Sequence, residues 1–237
     1  MSVKTTKPTT DDRLPILLVI LDGLGDRACA ELDGQTPCEA AATPHLDGLV
    51  RQGSSGVLVP FGPGRATSSE HAHWSLFGFN EIPFPGRAAI EALGVGQHPP
   101  RSEPMFHLAL RATEVRAGAL QLGGRARPRE DASLAAELLA ALDGRSINGV
   151  RFEQLPLRTG EAVLIARGAA TRDVSDTDAL FEHLHAWIRP LPLVEAADPV
   201  AAQNFALTLE QWLRGSRRIL RAHPLNLARV ASGQQPL

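Results

Sequence analysis

Apolar and polar positions change rhythm several times along this chain. Residues 14–22, LPILLVILD, form an almost unbroken apolar run of strand length, the pattern of a parallel strand buried on both faces. The run ends in Asp22, followed by Gly23 and Gly25, so Asp22 falls at a strand's carboxyl end, where open α/β sheets hold their ligands. TPHLDGLVRQG then predicts a helix, with Thr43 as N-cap, Pro44 at the first helical position and Gly53 as the stop. Gly56 to Val59 predict a second strand.

The stretch ATSSEHAHWSLFGF, from Ala66 to Phe79, is polar for its first half, then apolar up to a glycine. It predicts a short helix opened by serine, and GRAAIEALGVG, from Gly86 to Gly96, a second short helix bracketed by glycines. QHPPRSEP, residues 97–104, is a boundary signal, because paired prolines among polar neighbours break any periodicity. Beyond it MFHLALRATEV alternates as a half-exposed strand, and VRFEQLPL and AVLIAR predict two more strands. DASLAAELLAALDG predicts an amphipathic helix with Leu134, Leu138 and Leu142 on one face. DTDALFEHLHAWI predicts a helix, as does DPVAAQNFALTLEQWLRGSRRIL, with Asp198 as N-cap and Pro199 at the first position. The expected organisation is a tail over 1–13, an α/β part over 14–97 and an α+β part over 98–237.

Composition narrows the function classes. With 43% hydrophobic and 21% charged residues and a formal net charge of −2, the chain has the composition of a globular protein. The near-neutral balance points away from nucleic acid and anionic membranes as partners. The apolar runs fall short of the roughly 18 residues that span a bilayer. MSVKTTKPTTDDR lacks the apolar core of a secretory signal, and Cys29 and Cys38 have neither CxxC nor zinc-type spacing. Free thiols and a cytoplasmic location are expected.

The chemistry concentrates in SSEHAH, residues 68–73. Serine before a helix is first of all a cap, but capping and anion binding share their physics. Free backbone N–H groups and the positive end of the helix dipole accept an anion, and a serine there can be phosphorylated in place. An aspartate ending the first strand and a serine opening a helix further on together point to a catalytic or metal-binding role more than either does alone. His71 and His73 have simpler places on the helix surface or behind the site than as direct metal ligands.

VILDGLGDR, TPCEAAATPHLDGLVRQGSSG, SSEHAHWSLFGF and PGRAAIEALGVG together resemble the N-terminal half of the archaeal-type cofactor-independent phosphoglycerate mutases of the alkaline phosphatase superfamily. GGRARPRE, VSDTDA and ILRAHPLNLARVASGQQP resemble that family's inserted substrate-handling domain. The resemblance covers residues 14–237. It implies half of an alkaline-phosphatase-like doubly wound α/β sheet followed by an inserted α+β domain. By the same resemblance Asp22 is a ligand of a divalent metal, and Ser69 is the nucleophile, a metal ligand and the phosphorylated residue. Arg125 clamps the substrate's phosphate or carboxylate, a task suited to the guanidinium fork, and Arg87 is a second candidate for that surface. The implied reaction is the glycolytic interconversion of 3-phosphoglycerate and 2-phosphoglycerate through phosphoserine, with two divalent metal ions (manganese, magnesium, zinc or cobalt) in the complete protein and no bisphosphoglycerate.

The departures from the family pattern are also specific. The family draws further metal ligands from segments beyond the insert, including a Gly-Asp-His, and that tripeptide is absent here. His98, His107, His183, His185 and His223 match no such pattern. Glu161 and Ala162 stand where the family commonly shows a His-Arg or similar pair, and alanines replace Gly-Pro in GRAAIEA. The chain is therefore expected to be truncated and inactive alone, marginally stable or oligomeric, or in need of a complementing C-terminal half. Two alternatives stay open: another phosphotransferase or phosphatase of the superfamily, for example homoserine kinase-like, or a non-catalytic remnant or binding module.

Overall fold

The computed structural model describes residues 16–64, 68–98, 100, 102–178 and 184–237. The expected tail over 1–13 lies outside them. The chain divides into two units, Met1–Gly64 and Arg65–Leu237.

In the first unit the backbone of Cys29 meets that of Gln35 around a 3₁₀ turn, and Cys29 and Cys38 are free thiols. Helix α1, Pro37–Ala40, is opened by a capping box: Thr36 accepts from the Glu39 N–H, and the Glu39 carboxylate accepts from the Thr36 N–H. Helix α2, Pro44–Gln52, has the start and stop that its sequence signals, with Gly53 as C-cap. The Thr43 hydroxyl donates to Asp47 at 2.9 Å rather than capping a backbone N–H.

Among the described residues the two strands expected in this unit do not form. Residues 16–21 and 56–59 carry no strand pairing, and Ile16 and Val57 are 97% and 91% exposed. A parallel strand buried on both faces exists only through neighbours on either side and cover above and below. The described residues of this unit form no sheet to provide them.

The second unit has the core. Helix α3 spans Ser69–Leu76 and α4 spans Arg87–Gly94. Among the described residues seven strands precede or follow helix α5, Ala132–Ala140: β1 Met105–Ala109, β2 Arg111–Arg116, β3 Ala119–Arg125, β4 Arg145–Ile147, β5 Val150–Pro156, β6 Glu161–Arg167 and β7 His185–Ala186. They form two antiparallel sheets, ordered β1-β6-β5-β4 and β2-β3-β7. Helices α6, Pro199–Ala222, and α7, Pro224–Ala231, close the chain. The fold is mixed α/β with antiparallel sheets, as the strand patterns beyond residue 98 imply.

Strand β6 is central and buried on both faces. Ala162, Leu164 and Ala166 face the main core, where Phe152 and Trp212 pack with ring centroids 5.2 Å apart beside Leu138 and Leu142. Val163 and Ile165 point the other way, onto Ala88 and Ala92 of α4. Leu134 is half-buried beside Leu138 and Leu142, the face expected of α5.

Three local expectations change. MFHLALRATEV is two strands in different sheets, separated at buried Leu110, whose N–H donates to the Gly160 carbonyl at 2.7 Å. The helix expected over 176–188 is contradicted at its end, where His185 and Ala186 pair with Leu122 and Gln121, while residues 179–183 lie outside the described residues. A period-two reading of LHAW fits that edge as well as a helical one does. Helix α7 adds about two turns of structure the pattern left unassigned, although His223 caps it and Pro224 opens it.

Candidate active site

Asp22 belongs to the first unit and Ser69, Arg87 and Arg125 to the second. Asp22 is exposed, in a turn closed by the Leu24 N–H on the Leu21 carbonyl, with Gly23 supplying the positive φ that such a turn needs. Ser69 is exposed as the first residue of α3. Ser68 takes the cap itself, its hydroxyl accepting from the His71 N–H at 3.4 Å. His73 Nδ1 donates to the Ser69 carbonyl at 2.7 Å, and the His71 ring packs on Phe84 with centroids 4.1 Å apart. Both histidines are thus occupied around the helix that presents Ser69.

The alternation of β6 decides what surrounds the arginines. Glu161 shares the face of Val163 and Ile165, so its carboxylate lies on the α4 side. Arg87 and Glu91, one turn apart on α4, stand beside the Ala88 and Ala92 stripe that packs on this face. His107 of β1 is in register with Val163, which brings its ring to the same place.

The result is a connected ion-pair network. Arg87 reaches Glu91 from Nε at 2.8 Å and Glu70 from Nη1 at 3.0 Å, and its Nη2 lies 4.0 Å from Glu161 Oε2. Arg125 Nη1 donates to Glu161 Oε1 at 3.3 Å, Arg158 Nε donates to Glu161 Oε2, and His107 Nδ1 lies 2.8 Å from Glu91. Burial works against the charge of Arg87, but Glu91, Glu70 and Glu161 outweigh it and hold the guanidinium above its ordinary pKa. Burial also opposes the Glu70 carboxylate; its own N–H, the Ser68 hydroxyl and Arg87 prevail and lower its pKa.

Arg87 and Arg125, singled out by resemblance, are therefore brought together on one carboxylate. Glu70 couples this cluster to the helix that starts at Ser69. Glu70, Glu91, His107 and Arg158 were not among the expected site residues, although the Arg87–Glu91 spacing and the odd-numbered face of β6 carried the signal.

Ligand atoms of Glu91, His107 and Glu161 lie within 4.8 Å of one another, close enough to consider a metal. The donor set argues against it. Three guanidiniums already sit against Glu70, Glu91 and Glu161, and a cation would have to displace them. Asp22 and Ser69 offer one carboxylate and one hydroxyl, which do not complete the shell of two divalent ions. The metal pair was expected of the complete protein, with ligands beyond these two.

A protein-family model described as 2,3-bisphosphoglycerate-independent phosphoglycerate mutase matches residues 50–226. The chain belongs to that family. A Methanopyrus kandleri protein named 2,3-bisphosphoglycerate-independent phosphoglycerate mutase is 33% identical over 225 residues, covering 93% of this chain and 52% of the relative. A Pyrococcus horikoshii protein of the same name is 33% identical over 220 residues, covering 92% of this chain and 51% of the relative. The solved cofactor-independent phosphoglycerate mutase of Thermoplasma acidophilum superposes with a TM-score of 0.52 at 28% identity, over 90% of this chain and 54% of that one. The chain thus spans about half the length of the mutases it matches. No helix among the described residues is long and apolar enough to cross a membrane.

Proposed function

We propose that this chain is the nucleophile-bearing and substrate-gripping part of a phosphoglycerate mutase acting on 3-phosphoglycerate and 2-phosphoglycerate. Ser69 takes the phosphoryl group, glycerate is held while it reorients, and the group returns to the other hydroxyl. Arg125 and Arg87 hold the anionic ends of the substrate by charge-assisted hydrogen bonds. The observation that carries this reading is the span of Arg87, which joins Glu70, next to Ser69, to the carboxylate shared with Arg125.

Residues 14–97 belong in this reading to a phosphatase-like metalloenzyme domain and 98–237 to the inserted substrate-handling domain. Ile16, Leu17 and Val57 are exposed apolar residues in segments with strand patterns, which supports completion of the sheet by another polypeptide segment. The same segment would bring the metal donors that Asp22 and Ser69 lack, so the chain alone is inactive in this account.

The test is reconstitution. The 237-residue chain is assayed for 3-phosphoglycerate to 2-phosphoglycerate conversion alone and with the remaining half of the Methanopyrus kandleri relative. Turnover that needs both and is lost in Ser69→Ala supports the reading; turnover untouched by Ser69→Ala overturns it. Glu161 among the arginines favours a second reading, another phosphotransferase of the superfamily. It predicts that the reconstituted protein transfers phosphate on a different hydroxyl compound while leaving 3-phosphoglycerate unchanged.

A further inference from the structure

Glu161 is held by more cations than a buried carboxylate needs. Its side chain is 8% exposed and meets Arg125, Arg158 and, at 4.0 Å, Arg87. The holders are less enclosed: the Arg158 side chain is 71% exposed, that of Arg125 34% and that of Arg87 24%. Solvent therefore reaches the guanidiniums while the carboxylate they share is withdrawn from it. The Glu91 carboxylate, within 4.8 Å, is taken up by Arg87 Nε and His107, and Glu70 by Arg87 Nη1.

In the ion pairs of this cluster the guanidiniums of Arg87, Arg125 and Arg158 face the carboxylates of Glu70, Glu91 and Glu161. Remove the charge of Glu161 and Arg125, Arg158 and Arg87 lose the carboxylate they share, at a point where a phosphate or carboxylate group can accept charge-assisted hydrogen bonds from them.

We propose that Glu161 is the built-in occupant of an arginine anion site. Its carboxylate stands where an anionic group of a small ligand, a phosphate or a carboxylate, is received, and it sets the affinity for that group by competition. The backbone holds it there: the Glu161 N–H donates to the Arg158 carbonyl at 2.9 Å, its carbonyl accepts from the Leu157 N–H at 3.0 Å, and the Gly160 carbonyl accepts from the Leu110 N–H at 2.7 Å. The inference rests on the reading of Arg87 and Arg125 as substrate-binding, but not on the mutase reaction.

Inorganic phosphate is the probe, titrated by calorimetry into the full 237-residue chain, with circular dichroism as a check of folding. Glu161→Gln is expected to bind phosphate about tenfold tighter than the unaltered chain. Glu161→Asp keeps the charge but withdraws it by one methylene, and is expected to fall between them. Adding Arg125→Gln to Glu161→Gln should return the affinity to its starting level. The proposal is overturned if neither Glu161 variant binds tighter, or if the gain survives loss of Arg125. Should Glu161→Gln fail to fold, Glu161→Asp decides by the same criterion. A phosphate gain without mutase turnover after reconstitution would leave this proposal standing and remove only the reaction assigned above.

Discussion

Arg125, the last residue of β3, donates from Nη1 to Oε1 of Glu161, the first residue of β6, at 3.3 Å. The pair joins the two antiparallel sheets at the point where Arg87 of α4 also arrives. Replacing Arg125 with Gln leaves Glu161 with Arg158 and Arg87, so the fold should survive while the grip on an anion weakens. In the reconstituted enzyme KM for phosphoglycerate should rise about tenfold, with kcat changed less. Steady-state kinetics check this, and an unchanged KM would remove Arg125 from the substrate surface.

Gly160→Ala should destabilise the second unit. The positive φ disfavours a side chain, and its Cβ would press into Ala126 at 2.6 Å, with Leu110 and Ala135 close behind. Strain and overpacking together cost about 2 kcal/mol, read from urea unfolding midpoints. A midpoint equal to that of the unaltered chain would show that the turn relaxes freely.

Asp131 gives an acid limb to stability. Burial opposes its charge, yet the Arg127 N–H at 2.7 Å and Arg229 Nη1 at 2.7 Å, with Arg127 Nε behind them, prevail and lower its pKa. A carboxyl whose pKa is lower folded than unfolded contributes fully above the ordinary carboxylate value. That contribution is lost as pH falls through the lowered folded value. Urea midpoints should therefore fall on acidification below the carboxylate range. Asp131→Asn should flatten that limb and cost about 3 kcal/mol at neutral pH, because it leaves Arg229 partly buried without its counterion.

Asp198→Ala tests the cap that opens α6. The Asp198 carboxylate accepts from the N–H groups of Val200 and Ala201 at 3.0 and 2.9 Å. Its loss should cost about 1 kcal/mol, again from unfolding midpoints.

These examples also show which parts of the molecule its sequence reveals. Asp198 and Pro199 announce α6 because a cap and a first-turn proline act within a few residues. The α4 helix and the β5 and β6 strands are legible for the same local reason. The runs at 16–21 and 56–59 are not, because a buried parallel strand depends on partners from elsewhere in a protein, and the described residues of their unit form no sheet. Ser69 and the two arginines were singled out through the resemblance of whole motifs. Glu161 was noticed only as a departure from the family pattern. Its place among the arginines came into view when the alternation of β6 set it against α4, a relation between residues far apart in the chain.

The central claim is that Ser69 carries the phosphoryl group. The direct measurement is tandem mass spectrometry of the Ser69 peptide after acid quenching of the reconstituted protein turning over 3-phosphoglycerate. The account predicts phosphate on Ser69, absent from the Ser69→Ala protein and absent when substrate is left out. Phosphate on Ser68 or on neither serine, with turnover proceeding, would contradict it.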